Sequence, residues 1–132
     1  MSHKVPVSVE TSHDPLARMR VFQLASALIP DSFEDAKALR ADAITAEIAG
    51  QLYAAVGSIE ASISEGYSRS SGKDRARVFE YALGSVRESM SWYRSGTPVL
   101  GESRVKDRRD RLEEMRQLLL AIIPRERGRT MK

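Results

Sequence analysis

The sequence predicts an all-α protein, an antiparallel up-and-down four-helix bundle. Three observations lead there. Apolar residues recur at steps of three and four through four long segments, nothing alternates with the period of a β-strand, and the breaks carry proline, glycine or capping residues. At 132 residues the chain has room for one core. Four long helices with short links pack most economically as an up-and-down bundle.

Residues 1–13 lack helical patterning and are expected to be a disordered tail. Asp14-Pro15 then combines a capping side chain with a proline whose missing N–H costs nothing at a helix start. Met19, Phe22, Ala25, Ser26 and Ile29 share one face of the helix that follows, and Pro30 marks its expected end. Ser32 with Asp35 resembles a capping box for a short helical piece holding Phe33, Ala36 and Leu39. Whether that piece joins the next helix stays open.

Over residues 41–65, Ile44, Ile48, Leu52, Ala55, Ile59 and Ile63 form the cleanest stripe in the chain, and Gly66 is expected to end it. Ser71 with Asp74 caps the third helix, whose core face is Ala76, Phe79, Leu83, Val86, Met90 and Tyr93. Gly96-Thr97-Pro98 stops it. The last helix, over residues 103–123, carries Val105, Leu112, Met115, Leu119 and Ile122, and Pro124 is expected to close it. The bundle therefore occupies residues 14–124, and residues 125–132 read as a basic disordered tail.

Several faces are more apolar than one isolated bundle needs. On a helical wheel Val21, Leu24 and Leu28 fall beside the stripe of the first helix, while Tyr81 and Trp92 lie on a lateral strip of the third with Val78 and Ser85. Residues 118–123 wrap over half of the last helix in leucine, isoleucine and alanine. Opposite the isoleucine stripe of the second helix lie Ala43, Gly50, Ala54, Gly57 and Ala61. Interior glycines there, each costing about 1 kcal/mol against alanine, point to the close approach of another helix. Val21, Leu24, Leu28, Tyr81 and Trp92 are the expected oligomer interface, with Trp92 as an anchor.

Catalytic chemistry finds no support in the residues. There is no cysteine, the two histidines, His3 and His13, lie near the N-terminus, and neither a Gly-x-Ser-x-Gly elbow nor a phosphate-binding loop is present. No enzyme activity, cofactor or metal is expected. No apolar run is long enough for a membrane span, and the start is not of signal-peptide type, so the expected location is the cytoplasm.

The net charge of +3 is unevenly spread. Residues 104–132 hold 10 Lys and Arg against 5 Asp and Glu, and the rest of the chain is slightly acidic. Arg104, Lys106, Arg108, Arg109, Arg111, Arg116, Arg125, Arg127 and Arg129 are therefore candidates for neutralising nucleic-acid phosphates. Interleaved Asp107, Asp110, Glu113 and Glu114 compete for them through pairs along the helix. Arg108 stands out because it falls near the apolar stripe. At the corner between the second and third helices, Glu65 opposes the helix dipole and needs a partner, for which Arg69, Arg77 or the free N–H groups of the next helix are available.

The corner also carries a resemblance. Ser58-Ile59-Glu60-Ala61-Ser62-Ile63-Ser64-Glu65-Gly66-Tyr67, then Arg69 and Ser70-Ser71, then Phe79 to Glu88, resembles the S-I-x-x-N-I-A-E-G-x-x-R-x-S and F-L-x-I-A-x-G-S-x-x-E motifs of the four-helix-bundle family encoded within intervening sequences of 23S rRNA genes. Met19 to Leu28 is similar to the opening L-x-V-W-Q-x-A-x-x-L, with Phe22 in the tryptophan position. Ser62 and Ser64 depart from the pattern, and Tyr53-Ala54 stands where members often carry arginines. The resemblance implies a ring-shaped homopentamer. It also implies kinship with the accessory variability determinant proteins of diversity-generating retroelements, which bind nucleic acid and a reverse transcriptase. Two functions follow as expectations: a homo-oligomer that binds RNA or DNA weakly and without sequence preference, or a scaffold for a protein partner such as a reverse transcriptase.

Overall fold

A computed structural model describes residues 13–129 of the chain. The expected N-terminal tail, His13 apart, and residues 130–132 lie outside the described residues. A short 3-10 turn, Pro15–Arg18, precedes five helices: α1 (Arg20–Arg40), α2 (Ala46–Tyr67), α3 (Gly72–Ser95), the single turn α4 (Thr97–Leu100) and α5 (Glu102–Arg129). Among the described residues there is no strand. The four long helices pack in the order α1, α2, α3, α5, with α5 also against α1.

The Asp14 carboxylate accepts the Leu16 N–H at 3.0 Å, so the cap read from Asp14-Pro15 forms, on the 3-10 turn. The expected boundary at Pro30 does not. α1 runs through it to Arg40, placing Leu28, Ser32, Asp35 and Leu39 on one fully buried line. An internal proline costs about 3 kcal/mol, which the packing of the segment beyond it, with Leu39 fully buried, offsets. The Ser32 hydroxyl donates to the Ile29 carbonyl at 2.7 Å instead of capping a new helix.

α2 begins at Ala46, later than the stripe suggested, because residues 41–45 form a compact turn. The Asp42 carboxylate accepts the Ile44 N–H at 2.9 Å, and the Thr45 hydroxyl donates to the Leu39 carbonyl at 2.7 Å. Ile44 is thereby thrown out of the core and is 89% exposed. Leu52, Ala55, Ile59 and Ile63 are buried as expected. α3 starts as its sequence predicts, the Ser71 hydroxyl accepting the Asp74 N–H at 3.1 Å. α5 passes through Pro124 to Arg129, so residues 125–129 are helical rather than a disordered tail. Buried Ile123 and the pairing of Glu126 with Arg75 at 3.3 Å fix that last segment to α3.

Val21, Leu24 and Leu28 are likewise corrected: all three are buried inside the chain's own core. α1 is enclosed by both α2 and α5, which widens its apolar arc beyond one stripe. Gly66 does not end α2 by conformational freedom either. A Cβ there would meet two Phe79 ring carbons at 2.7 Å, so the glycine lets α3 approach. Gly66→Ala is expected to lower stability by about 1–3 kcal/mol through overpacking. Gly84→Ala on the open face of α3 should raise it by about 0.5–1 kcal/mol. Thermal denaturation of both variants tests the contrast.

Candidate functional site

The densest polar constellation lies between the second half of α1, the end of α3 and the start of α5. Asp35 is fully buried at its centre. The Tyr93 hydroxyl donates to it at 2.7 Å, Arg108 Nε at 2.8 Å and Arg104 Nη1 at 3.3 Å. Arg108 also donates to Asp107 at 2.7 Å, and the buried Arg111 donates to Asp31 at 2.7 Å.

Burial and the adjacent Asp35 charge push the Tyr93 hydroxyl far above its usual range, so it remains a donor. Burial alone would disfavour the Arg108 charge, but its bonds to Asp35 and Asp107 raise its pKa. Three carboxylates thus meet three guanidiniums, with a phenol that keeps its proton. Such a cluster balances its charges one for one; chemically it is a lock between helices. The sequence signal for it was split in two. Asp35 looked like a capping partner of Ser32, while Arg108 in the apolar stripe of α5 had no visible mate.

Most of the cations expected to meet phosphates have a carboxylate partner within the chain. Arg104, Arg108 and Arg111 belong to the lock, Lys106 pairs with Asp110 at 2.7 Å, Arg116 with Glu113 at 2.7 Å, and Arg127 with Glu80 at 2.7 Å. Arg109 and Arg125 make no ion pair among the described residues; the Arg129 side chain lies outside them. Unpaired cations occur instead where the sequence reading did not look, at Lys73, Arg87 and Arg94 on the exposed side of α3. Among the described residues no cluster of His, Cys, Asp and Glu is arranged to hold a metal.

At the corner, Glu65 pairs with Arg69 at 2.5 Å, and Arg69 reaches Asp74 at 3.7 Å. Arg77 does not reach Glu65 but joins the corner through the same Asp74, which it bonds at 2.8 Å, and it also donates to the Tyr81 hydroxyl at 3.0 Å. The Glu65 pair is largely exposed, so it holds the corner only weakly. Tyr81 is 57% exposed, and Trp92 is half-buried with its indole N–H donating to Glu88 at 3.1 Å. On α2, burial pushes the Glu60 carboxyl above its ordinary range, and the nearby Ser26 hydroxyl only partly offsets this.

Asp35→Asn should destabilise the protein by about 3–5 kcal/mol, since it leaves buried guanidinium charge uncompensated. Tyr93→Phe should cost about 1.5–3 kcal/mol, and Glu65→Ala no more than about 0.5 kcal/mol; urea denaturation ranks the three. Because the folded Glu60 holds its proton to higher pH than the unfolded one, its contribution to stability falls as pH rises through that interval. Glu60→Gln should therefore melt above the wild type at neutral pH and together with it in acid.

The model of the family described as 23S rRNA-intervening sequence protein matches residues 17–121, from the 3-10 turn through α1, α2, α3 and most of α5. No curated protein and no solved structure matches the chain significantly. The match takes in both halves of the Asp35 lock and the α2–α3 corner, and on its extent the chain belongs to the 23S rRNA-intervening sequence protein family.

Proposed function

We propose that the chain is a non-enzymatic antiparallel bundle that self-assembles and, once assembled, holds nucleic acid weakly through its phosphates. The observation that carries assembly is the outward face of α2. Between Glu47 and Glu65 its one charged side chain is Glu60, which is part-buried, and the exposed positions are Gly50, Gln51, Tyr53, Ala54 and Ala61. A helix facing water alone normally carries a charged back. Nothing in the chain itself lies within 4 Å of a Cβ at Gly50 or Gly57, so the close approach that these glycines permit is available to a second copy.

Tyr81 borders the same surface. Ser58 of α2 and Ser85 of α3 share a hydrogen bond at 2.8 Å, which puts the Tyr81 and Trp92 side of α3 next to α2. Exposed Tyr53 and Tyr81 with half-buried Trp92 are the aromatic anchors that interfaces favour. The interface thus keeps Tyr81 and Trp92 from the sequence reading and replaces the buried α1 residues with the face of α2. Closure into a ring, a pentamer by family resemblance, would multiply a modest cationic surface by symmetry.

Light scattering coupled to size exclusion is expected to give one species several times the mass of the chain. Gly57→Glu should dissociate it while leaving the subunit folded, since the position is open and glutamate is the better helix former by about 0.5–1 kcal/mol. A monodisperse wild-type monomer would sink the assembly; an intact Gly57→Glu oligomer would move the interface elsewhere.

A further inference from the structure

We infer that the seam between the exposed sides of α3 and α5 is the surface on which a single-stranded nucleic acid lies, with Lys73, Arg87 and Arg94 of α3 and Arg109 of α5 as its phosphate contacts. The inference rests on the nucleic-acid reading above and gives it a place. It moves the contact surface off the acid-neutralised outer face of α5.

The location follows from which cations are free. On a wheel at about 100° per residue, Lys73, Glu80, Arg87 and Arg94 fall within about 60° of one another on α3. The pairing of Glu80 with Arg127 at 2.7 Å shows that this side of α3 faces α5. On α5, Arg109, Arg116 and Arg127 share a stripe at similar helical phase, which is thereby the stripe turned toward α3. Arg109 lies with Met90 of α3 in a groove of about 460 Å³.

Carboxylates on the seam are already engaged. Glu80 takes Arg127, Asp110 takes Lys106 and Glu113 takes Arg116, whereas Lys73, Arg87, Arg94 and Arg109 have no carboxylate partner among the described residues. Glu102 is the acid left over. The unpaired charge of the seam is therefore positive. Lys73 and Arg94 stand 21 residues apart on one helix, a span of about 30 Å at 1.5 Å per residue. A line of cations along a helical seam suits a strand laid along it.

The test uses the full chain and a fluorescent oligouridine, followed by anisotropy across a salt series. Two double variants of equal charge change are compared: Arg87→Gln with Arg94→Gln on the seam, and Arg18→Gln with Arg40→Gln, which also have no ion pair among the described residues but lie in the 3-10 turn and at the end of α1. The seam pair should weaken binding about tenfold at about 50 mM salt and flatten the log–log salt slope by about 1.4, or 0.7 per lost contact. The second pair should leave the slope unchanged. Circular dichroism confirms that both remain folded. Equal weakening by the two pairs would mean diffuse charge and overturn the seam while sparing nucleic-acid binding. A duplex that competes better than the single strand would overturn the strand assignment, and a wild type that binds neither would overturn the nucleic-acid reading itself.

Discussion

The buried charge of Asp35 is the constraint around which this bundle is arranged. A carboxylate with no access to water must be met by donors from every side, and here they come from α3 and α5 at once. For Tyr93 to reach it, α3 has to end beside the second half of α1. For Arg104 and Arg108 to reach it, α5 has to begin there. The single turn α4 and Gly101, whose φ of 88° suits glycine, make that reversal in the fewest residues. One side chain thus ties three helices together at a single level of the bundle.

The same constraint decides what the basic last helix can do. Counting charges along α5 suggests a phosphate-binding surface, but its first half is drawn inward to neutralise Asp31, Asp35 and Asp107. Lys106 and Arg116 are matched by acids three or four residues away and Arg127 by Glu80 of α3, which leaves Arg109 and Arg125 without an ion pair among the described residues. Net charge is conserved in this exchange while its location is not. Neutralising α5 leaves the positive balance to cations that the linear sequence scatters, and the packing of α3 against α5 gathers four of them along one seam.

How much was legible in the sequence depended on whether the relevant force was local. Caps at Asp14 and Ser71, the stripe Leu52–Ala55–Ile59–Ile63 and the stop at Gly96 are decided within a few residues, and they formed as read. Both prolines were misjudged for one reason. The cost of an interior proline is local, whereas the burial of Leu39 and the Arg75–Glu126 contact that outweigh it are tertiary. Arg108 was visible as an anomaly, yet its partner lies 73 residues away on a segment read as a separate piece. Gly66 shows the converse, a correct landmark whose physical reason, the Phe79 ring against its Cα, no local pattern contains.

The division of labour among faces then follows from what each can no longer do. α1 is spent on the core, which removes Val21, Leu24 and Leu28 from any surface role. Most cations of α5 are paired within the chain. That leaves two unsatisfied surfaces on the described chain, chemically opposite and adjacent across α3: the uncharged face of α2 with Tyr81 at its edge, and the cationic seam on the other side. A copy docked on the first would leave the second facing outward. Assembly would then add cationic seams without burying them, and the charge that is too sparse on one subunit would become a repeated one.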